Sequence, residues 1–166
     1  MISRRSLLGG AAALAAGSLA GCSTKFRTYD GPPVTGIVVQ KAPRRMYLLS
    51  GGTTLRAFDI RLGGDPLGPK RWEGDGKTPE GAYAIDRRNP NSSYYLSLGI
   101  SYPNPMDVAY AQSLGLRPGG DIFIHGTPRE KRRAGDWTAG CIAVTNREME
   151  DIYAMVGEGT PIFIDA

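Results

Sequence analysis

Residues Asp121 to Asn146 read DIFIHGTPREKRRAGDWTAGCIAVTN, and two short apolar runs within them set the reading of the whole chain. "DIFIH" (121–125) and "CIAVT" (141–145) have the length and β-branched content of strands, and the glycine- and charge-rich segment between them is a loop. His125 is the only histidine in the chain and closes the first run; Cys141 opens the second, sixteen positions later and directly after Gly140. A thiol becomes a useful nucleophile when a base takes its proton or an imidazolium stabilises the thiolate. The strand–loop–strand unit is therefore read as a device that brings one sulfur to one imidazole. Gly140 permits a tight turn that aims the amides of Gly140 and Cys141 at a developing oxyanion. No Asp or Asn is fixed by the sequence as a partner of the ring, so the carbonyl of Gly126 is expected to orient it.

Outward from this unit the pattern is again one of short strands. "GIVVQ" (36–40), "RMYLLS" (45–50), "TTLRAFDIRL" (53–62), "AYAIDRR" (82–88), "SYYLSLGIS" (93–101) and "PIFID" (161–165) are compact β-type runs. Two helices are expected. Asn104 and Pro105 supply a cap and a first-turn proline ahead of "MDVAYAQSLG". Thr145 and Glu148 form a T-x-x-E capping box ahead of "REMEDIYAMVG". The fold class that follows is mainly β (β-rich α+β): a β-sandwich or curled sheet with one or two short helices, rather than a βαβ arrangement. The Gly/Pro-rich loop "RLGGDPLGPKRWEGDGKTPEG" (61–81) is long enough to carry part of a site.

The N-terminus "MISRRSLLGGAAALAAGSLAGC" places Arg4 and Arg5 before an alanine-rich apolar run and small residues before Cys22. This is the layout of a secretory signal peptide over residues 1–21. "LAGC" (Leu19 to Cys22) resembles a bacterial lipobox, which makes Cys22 the lipidation site, and "SRRSLL" resembles a twin-arginine signal. The twin-arginine and general secretory routes both stay open. Residues 22–33 are read as a tether and 34–166 as one catalytic domain. The expected location is periplasmic, anchored to a membrane through the N-terminal lipid, with Ser23 after the cysteine compatible with the outer membrane. Removing residues 1–21 leaves eighteen Lys and Arg against sixteen acids, a net charge of +2, so nothing calls for a nucleic-acid partner. With Cys22 committed to lipid, Cys141 is a lone thiol in an oxidising compartment, where such a group is buried or used.

The combination "IHG…TAGCIAVTN" resembles the L,D-transpeptidase catalytic domain (YkuD-type). The signature of that family is a histidine, a gap of about this length, then Ser/Thr-His-Gly-Cys-x-Arg-x-x-Asn. Thr138, Gly140, Cys141 and Asn146 fall on the Ser/Thr, Gly, Cys and Asn places, and His125 on the upstream histidine. The segment "GDGKTPEGAYAI" (74–85) also resembles one common in these domains. Two places depart from the signature. Ala139 stands where the family has its second histidine and Ala143 where it has its arginine, as in the YafK-like branch.

The resemblance implies an enzyme acting on peptidoglycan stem peptides through a cysteine thioester at diaminopimelate. Cys141 is then the nucleophile and His125 the base, with Gly126 and Gly140 supporting them. Thr138, Asn146, Trp137, Arg129 and Arg132 are the substrate-binding candidates. Trp137 either packs beneath the loop or touches substrate, Thr138 either orients the turn or bonds substrate, and Asn146 is either a helix cap or a site residue. No cofactor and no metal are implied. Hydrolysis by the same site, and a catalytically silent wall-binding lipoprotein, are the alternatives.

Overall fold

The computed structural model describes residues 24–166; the expected signal peptide and Cys22 lie outside the described residues. Eight strands form one mixed sheet: β1 (Gly36–Gln40), β2 (Arg45–Ser50), β3 (Thr53–Asp59), β4 (Gly81–Asn89), β5 (Ser97–Ile100), β6 (Phe123–His125), β7 (Ile142–Ala143) and β8 (Pro161–Asp165). Their spatial order is β3-β2-β1-β8-β4-β5-β6-β7. Alternation along the strands selects the inner face, since successive side chains point to opposite sides. Ile37 and Val39 of β1 are buried, as are Met46 and Leu48 of β2 and Ile162 and Ile164 of β8. The parallel register of β1 with β8 sets Ile37 beside Ile162 and Val39 beside Ile164, so these side chains stack into one core.

Of the two expected shapes, the curled sheet is the one formed. After β3 the chain runs on and meets the opposite end of the strand order. Arg61 N–H donates to Ala143 O and Ala143 N–H to Arg61 O, both at 2.8 Å. The right-handed twist of strands makes such curling the natural outcome for a sheet of this width. The closure covers the edge of β7, a two-residue strand that could not stand alone.

Among the described residues two α-helices accompany the sheet: α1 (Pro105–Ser113) and α2 (Asn146–Met155). Both begin where their capping residues indicate. Thr145 Oγ1 accepts from Glu148 N–H at 3.2 Å while the Glu148 carboxylate accepts from Thr145 N–H at 2.9 Å. Asn104 Oδ1 accepts from Met106 and Asp107 N–H, and the Asp107 carboxylate returns to Asn104 N–H. Met149, Ile152 and Tyr153 of α2 are buried in the core.

Several expected strands are shorter. The run 93–101 pairs only over Ser97–Ile100, because a turn precedes it: Tyr95 N–H donates to Ser92 O and Tyr95 has φ +80°. The run 121–125 begins pairing at Phe123, since Asp121 has φ +53°, and 141–145 pairs only at Ile142–Ala143. Residues 24–33, expected as a tether, hold no helix or strand but lie against the domain. Lys25 Nζ donates to Tyr95 O at 3.2 Å, and Arg27 pairs with Glu150 and Asp151.

Candidate functional site

β6 and β7 pair in parallel, with Ile124 opposite Ile142 and His125 opposite Ala143. The two isoleucines are fully buried in the core. Residues in register in a parallel pair share a face, and the face alternates every residue. His125 and Cys141 therefore project together from the opposite face, offset by one pleat. They line one cavity of about 270 Å³, with Ser92, Tyr94, Asp121 and Phe123 among its walls.

The imidazole is held on three sides. His125 is 3% exposed. Its Nδ1 lies 2.7 Å from the carbonyl oxygen of Gly126. Tyr94 stacks on the ring at 4.5 Å between centroids, and Trp137 meets it edge-on at 5.7 Å. Burial pushes the imidazole pKa below its ordinary value of 6.5, against an opposing pull from the Gly126 carbonyl. A neutral ring with a carbonyl at Nδ1 carries its proton there, which leaves the Nε2 lone pair free as a base.

The sulfur rests as a thiol. Burial pushes the Cys141 pKa above its ordinary value of 9.0, with the Phe123 amide opposing and the Asp121 charge adding to the rise. The Cys141 thiol donates to the Asp121 carbonyl at 3.5 Å. Burial thus favours the neutral form of both groups.

Gly140 sits at φ +134°, and a Cβ there would lie 2.6 Å from the backbone oxygen of Lys77. A Cβ on Gly63 would lie 2.0 Å from the oxygen of Gly76 and 3.3 Å from Cα of Gly140. The long loop thus packs behind the nucleophile turn rather than over the cavity. It is braced from within by Asp75, whose carboxylate accepts from the amides of Arg71, Trp72 and Lys77 and from Lys70 Nζ at 2.8 Å. Burial alone would raise the Asp75 pKa, but these amides and Lys70 outweigh it and hold the carboxyl below its usual range.

The other expected site residues lie around this pair. Thr138 is a turn residue: its Oγ1 donates to Cys141 O at 2.7 Å and accepts from Gly140 N–H at 3.1 Å. That bond also commits the Gly140 amide, expected in the oxyanion site, and leaves Cys141 N–H without an acceptor among the described residues. Trp137 packs on the imidazole and does not line the Cys141 cavity. Asn146 is not the cap, which is Thr145. Asn146 Oδ1 is buried without a hydrogen-bond partner and stands where a Cβ on Gly126 would be 2.4 Å away, so it wedges the His125–Gly126 turn. Arg129 is exposed in a 3-10 turn (Arg129–Lys131), and Arg132 lines a second cavity; neither lines the one holding Cys141.

Tyr94 and Asp121 carry no signal of their own in the sequence. Tyr94 sits inside a run that reads as strand, and Asp121 contributes a backbone carbonyl that any residue could supply.

A cysteine and a histidine thus line one cavity on one face of neighbouring strands, in a curled mixed sheet. A family model described as the L,D-transpeptidase catalytic domain (YkuD) matches residues 35–164, and the chain belongs to that family. It is 36% identical over 93 residues to the protein named "Putative L,D-transpeptidase YafK" of Escherichia coli (strain K12), covering 54% of this chain and 32% of that one. The fold is similar to the helical cell shape determining protein Pgp2 of Campylobacter jejuni, with TM-score 0.63 and 28% identity over 82% of this chain and 49% of that one. It is also similar in fold to Bd1075 of Bdellovibrio bacteriovorus, with TM-score 0.58 and 23% identity over 80% of this chain and 48% of that one. The chain thus spans about a third of the curated relative and about half of each solved structure.

Proposed function

We propose that this protein is a cysteine acyltransferase that acts on the stem peptides of peptidoglycan. The observation that carries the reading is that Cys141 and His125 line one cavity, while the Gly126 carbonyl engages Nδ1 and leaves the other ring nitrogen, Nε2, to act as the base. The Cys141 proton passes to Nε2 as the sulfur bonds to the carbonyl carbon of diaminopimelate. The oxygen becomes an oxyanion beside Cys141 N–H. Collapse breaks the C–N bond, and the imidazolium returns its proton to the leaving amine. A thioester remains, which an incoming amine or water resolves with Nε2 again taking the proton. Burial, which favours the neutral thiol and the neutral imidazole, fits an order in which the thiol is deprotonated during attack.

The remaining expectations belong to the same reading. The chain is exported, lipidated at Cys22 and held at the periplasmic face of a membrane, the outer membrane being the assigned one. Support comes from the lipobox-like ending and the basic pair before an apolar run. Purified muropeptides incubated with the soluble domain and analysed by mass spectrometry test the function. Cross-linked or D-amino-acid-exchanged products establish transfer, and shortened peptides establish hydrolysis. Unchanged muropeptides, or full activity in a Cys141→Ala variant, would overturn the assignment.

A further inference from the structure

Residues 25–27, within the stretch expected as a tether, form a strap fastened to the turn (residues 90–95) that makes one wall of the Cys141 cavity. Lys25 Nζ donates to the carbonyl oxygens of Pro90 and, at 3.2 Å, Tyr95, so it bridges the two ends of that turn. The same ammonium lies 5.7 Å from the ring centroids of both Phe26 and Tyr95, within cation–π range. Phe26 meets Tyr153 of α2 at 6.3 Å between centroids, and Arg27 Nε donates to Glu150 at 2.8 Å. Glu150 in turn accepts from the Tyr95 hydroxyl at 2.6 Å, so strap, turn and α2 close one ring of contacts.

The turn needs such a clamp. Tyr95 has φ +80°, and a bulky side chain keeps that conformation only where its surroundings hold it. Tyr94, its neighbour, grips the imidazole in two ways. Its ring stacks on His125 at 4.5 Å, and its carbonyl accepts from Gly126 N–H at 3.0 Å. Gly126 supplies the carbonyl at Nδ1 of His125. Ser92, Ser93 and Tyr94 line both the Cys141 cavity and a separate one of about 420 Å³. His125 lines the first and Lys25 the second, so the turn stands between imidazole and ammonium.

We infer that Lys25 is a positioning residue: by clamping the 90–95 turn it holds Tyr94 and Gly126 where they fix the His125 imidazole beside Cys141. The inference rests on the reading of His125 as the base. Lys25 does not line the Cys141 cavity, so it acts through the turn and not on a substrate. Two carbonyl acceptors and two flanking rings pin one ammonium, and the Arg27–Glu150 pair keeps the strap from lifting it away. Lys25 stands three positions after Cys22, so the segment that reads as a tether is built into the site it carries.

Nuclear magnetic resonance on the full chain in detergent tests this, because His125 is the only histidine and gives one imidazole Hε1 signal. A proton stacked on an aromatic face is shielded by the ring current, so loosening the Tyr94 stack moves that signal downfield. At about pH 8.5 the imidazole is neutral, so a lost lysine charge does not change its protonation. Tyr94→Leu abolishes the stack and sets the full scale of the movement. Lys25→Met should give about half of that movement or more, and Lys25→Arg, which keeps donors for both carbonyls, should give little. Arg56→Met removes an exposed cation from β3 and should leave the signal in place. In the muropeptide assay Lys25→Met should lower kcat about tenfold while KM stays within about twofold. An unmoved signal in a Lys25→Met protein with native circular dichroism, a movement that Lys25→Arg does not reverse, or an equal movement in Arg56→Met would overturn the inference. So would an unchanged kcat in an active enzyme. A signal that moves as expected in a protein without turnover defeats the catalytic reading alone and leaves the clamp on His125 standing.

Discussion

Replacing Thr138 with valine keeps the shape of the side chain and removes the oxygen that ties the nucleophile turn together. Thr138 is 8% exposed, and its Oγ1 makes two bonds, to Cys141 O at 2.7 Å and from Gly140 N–H at 3.1 Å. Gly140 is buried, so its N–H is left without water as a substitute. An orphaned buried donor costs about 1–3 kcal/mol and the second lost bond about 0.5–1.5 kcal/mol, for a total of about 2–4 kcal/mol. For a domain of this size each kcal/mol lowers Tm by roughly 2–4 °C, so scanning calorimetry should find a fall of about 5–15 °C. The turn also aims the sulfur, and small misplacements of a reacting atom cost about a hundredfold in rate. In the muropeptide assay kcat should therefore fall about ten- to a hundredfold while KM stays within about twofold. Thr138→Ser, which restores the oxygen, should recover most of both losses. A Thr138→Val protein with unchanged Tm and kcat but raised KM would refute the turn role and return Thr138 to the substrate.

Gly140→Ala should be more damaging still, since φ +134° is unfavourable for alanine and its Cβ would lie 2.6 Å from Lys77 O. A loss of about 2–4 kcal/mol in urea unfolding is expected, and wild-type stability would show that the loop behind the turn yields freely. The acid limb of kcat/KM should fall below pH 6.5, because burial lowers the His125 pKa. The same shift has a stability sign. The unfolded chain takes up the imidazole proton near 6.5 and the folded one only at lower pH, so stability declines as pH falls below 6.5. Alkylation of Cys141 by iodoacetamide should climb only above pH 9, and fast alkylation at pH 6 would show a preformed thiolate. Asp75→Ala removes one half of an ion pair whose side chains are 1% and 3% exposed, leaving Lys70 charged and unpaired. A destabilisation of about 3–5 kcal/mol by thermal melting is expected, whereas a value under 1 kcal/mol would mean that water reaches the loop.

Both helices and the strand periods were legible in the sequence because each is written in neighbouring residues. Thr145 with Glu148 and Asn104 with Pro105 mark helix starts through bonds that span three residues. The shortened strands were not legible, since Tyr95 and Asp121 carry ordinary side chains at positive φ, a conformation imposed by the surrounding turns. The orientations of the motif side chains were not legible for the same reason. Thr138, Trp137 and Asn146 stand in the right neighbourhood, yet which way each side chain faces depends on what packs against it.

By itself the sequence determined that a lone thiol and a lone imidazole lie at the ends of short strands on either side of a charged loop, in a β-rich chain with two capped helices. Local hydrogen bonding and hydrophobic period carry that much, because both act over a few residues. Only the tertiary structure decided that the sheet curls until Arg61 meets Ala143, that the loop of residues 63–78 backs the nucleophile turn, and that Arg61, Arg132 and Arg147 gather around one cavity. Those juxtapositions join segments as far as eighty-six positions apart. They follow from burying one face of a twisted sheet, an energy shared by the whole chain and written in no single stretch of it.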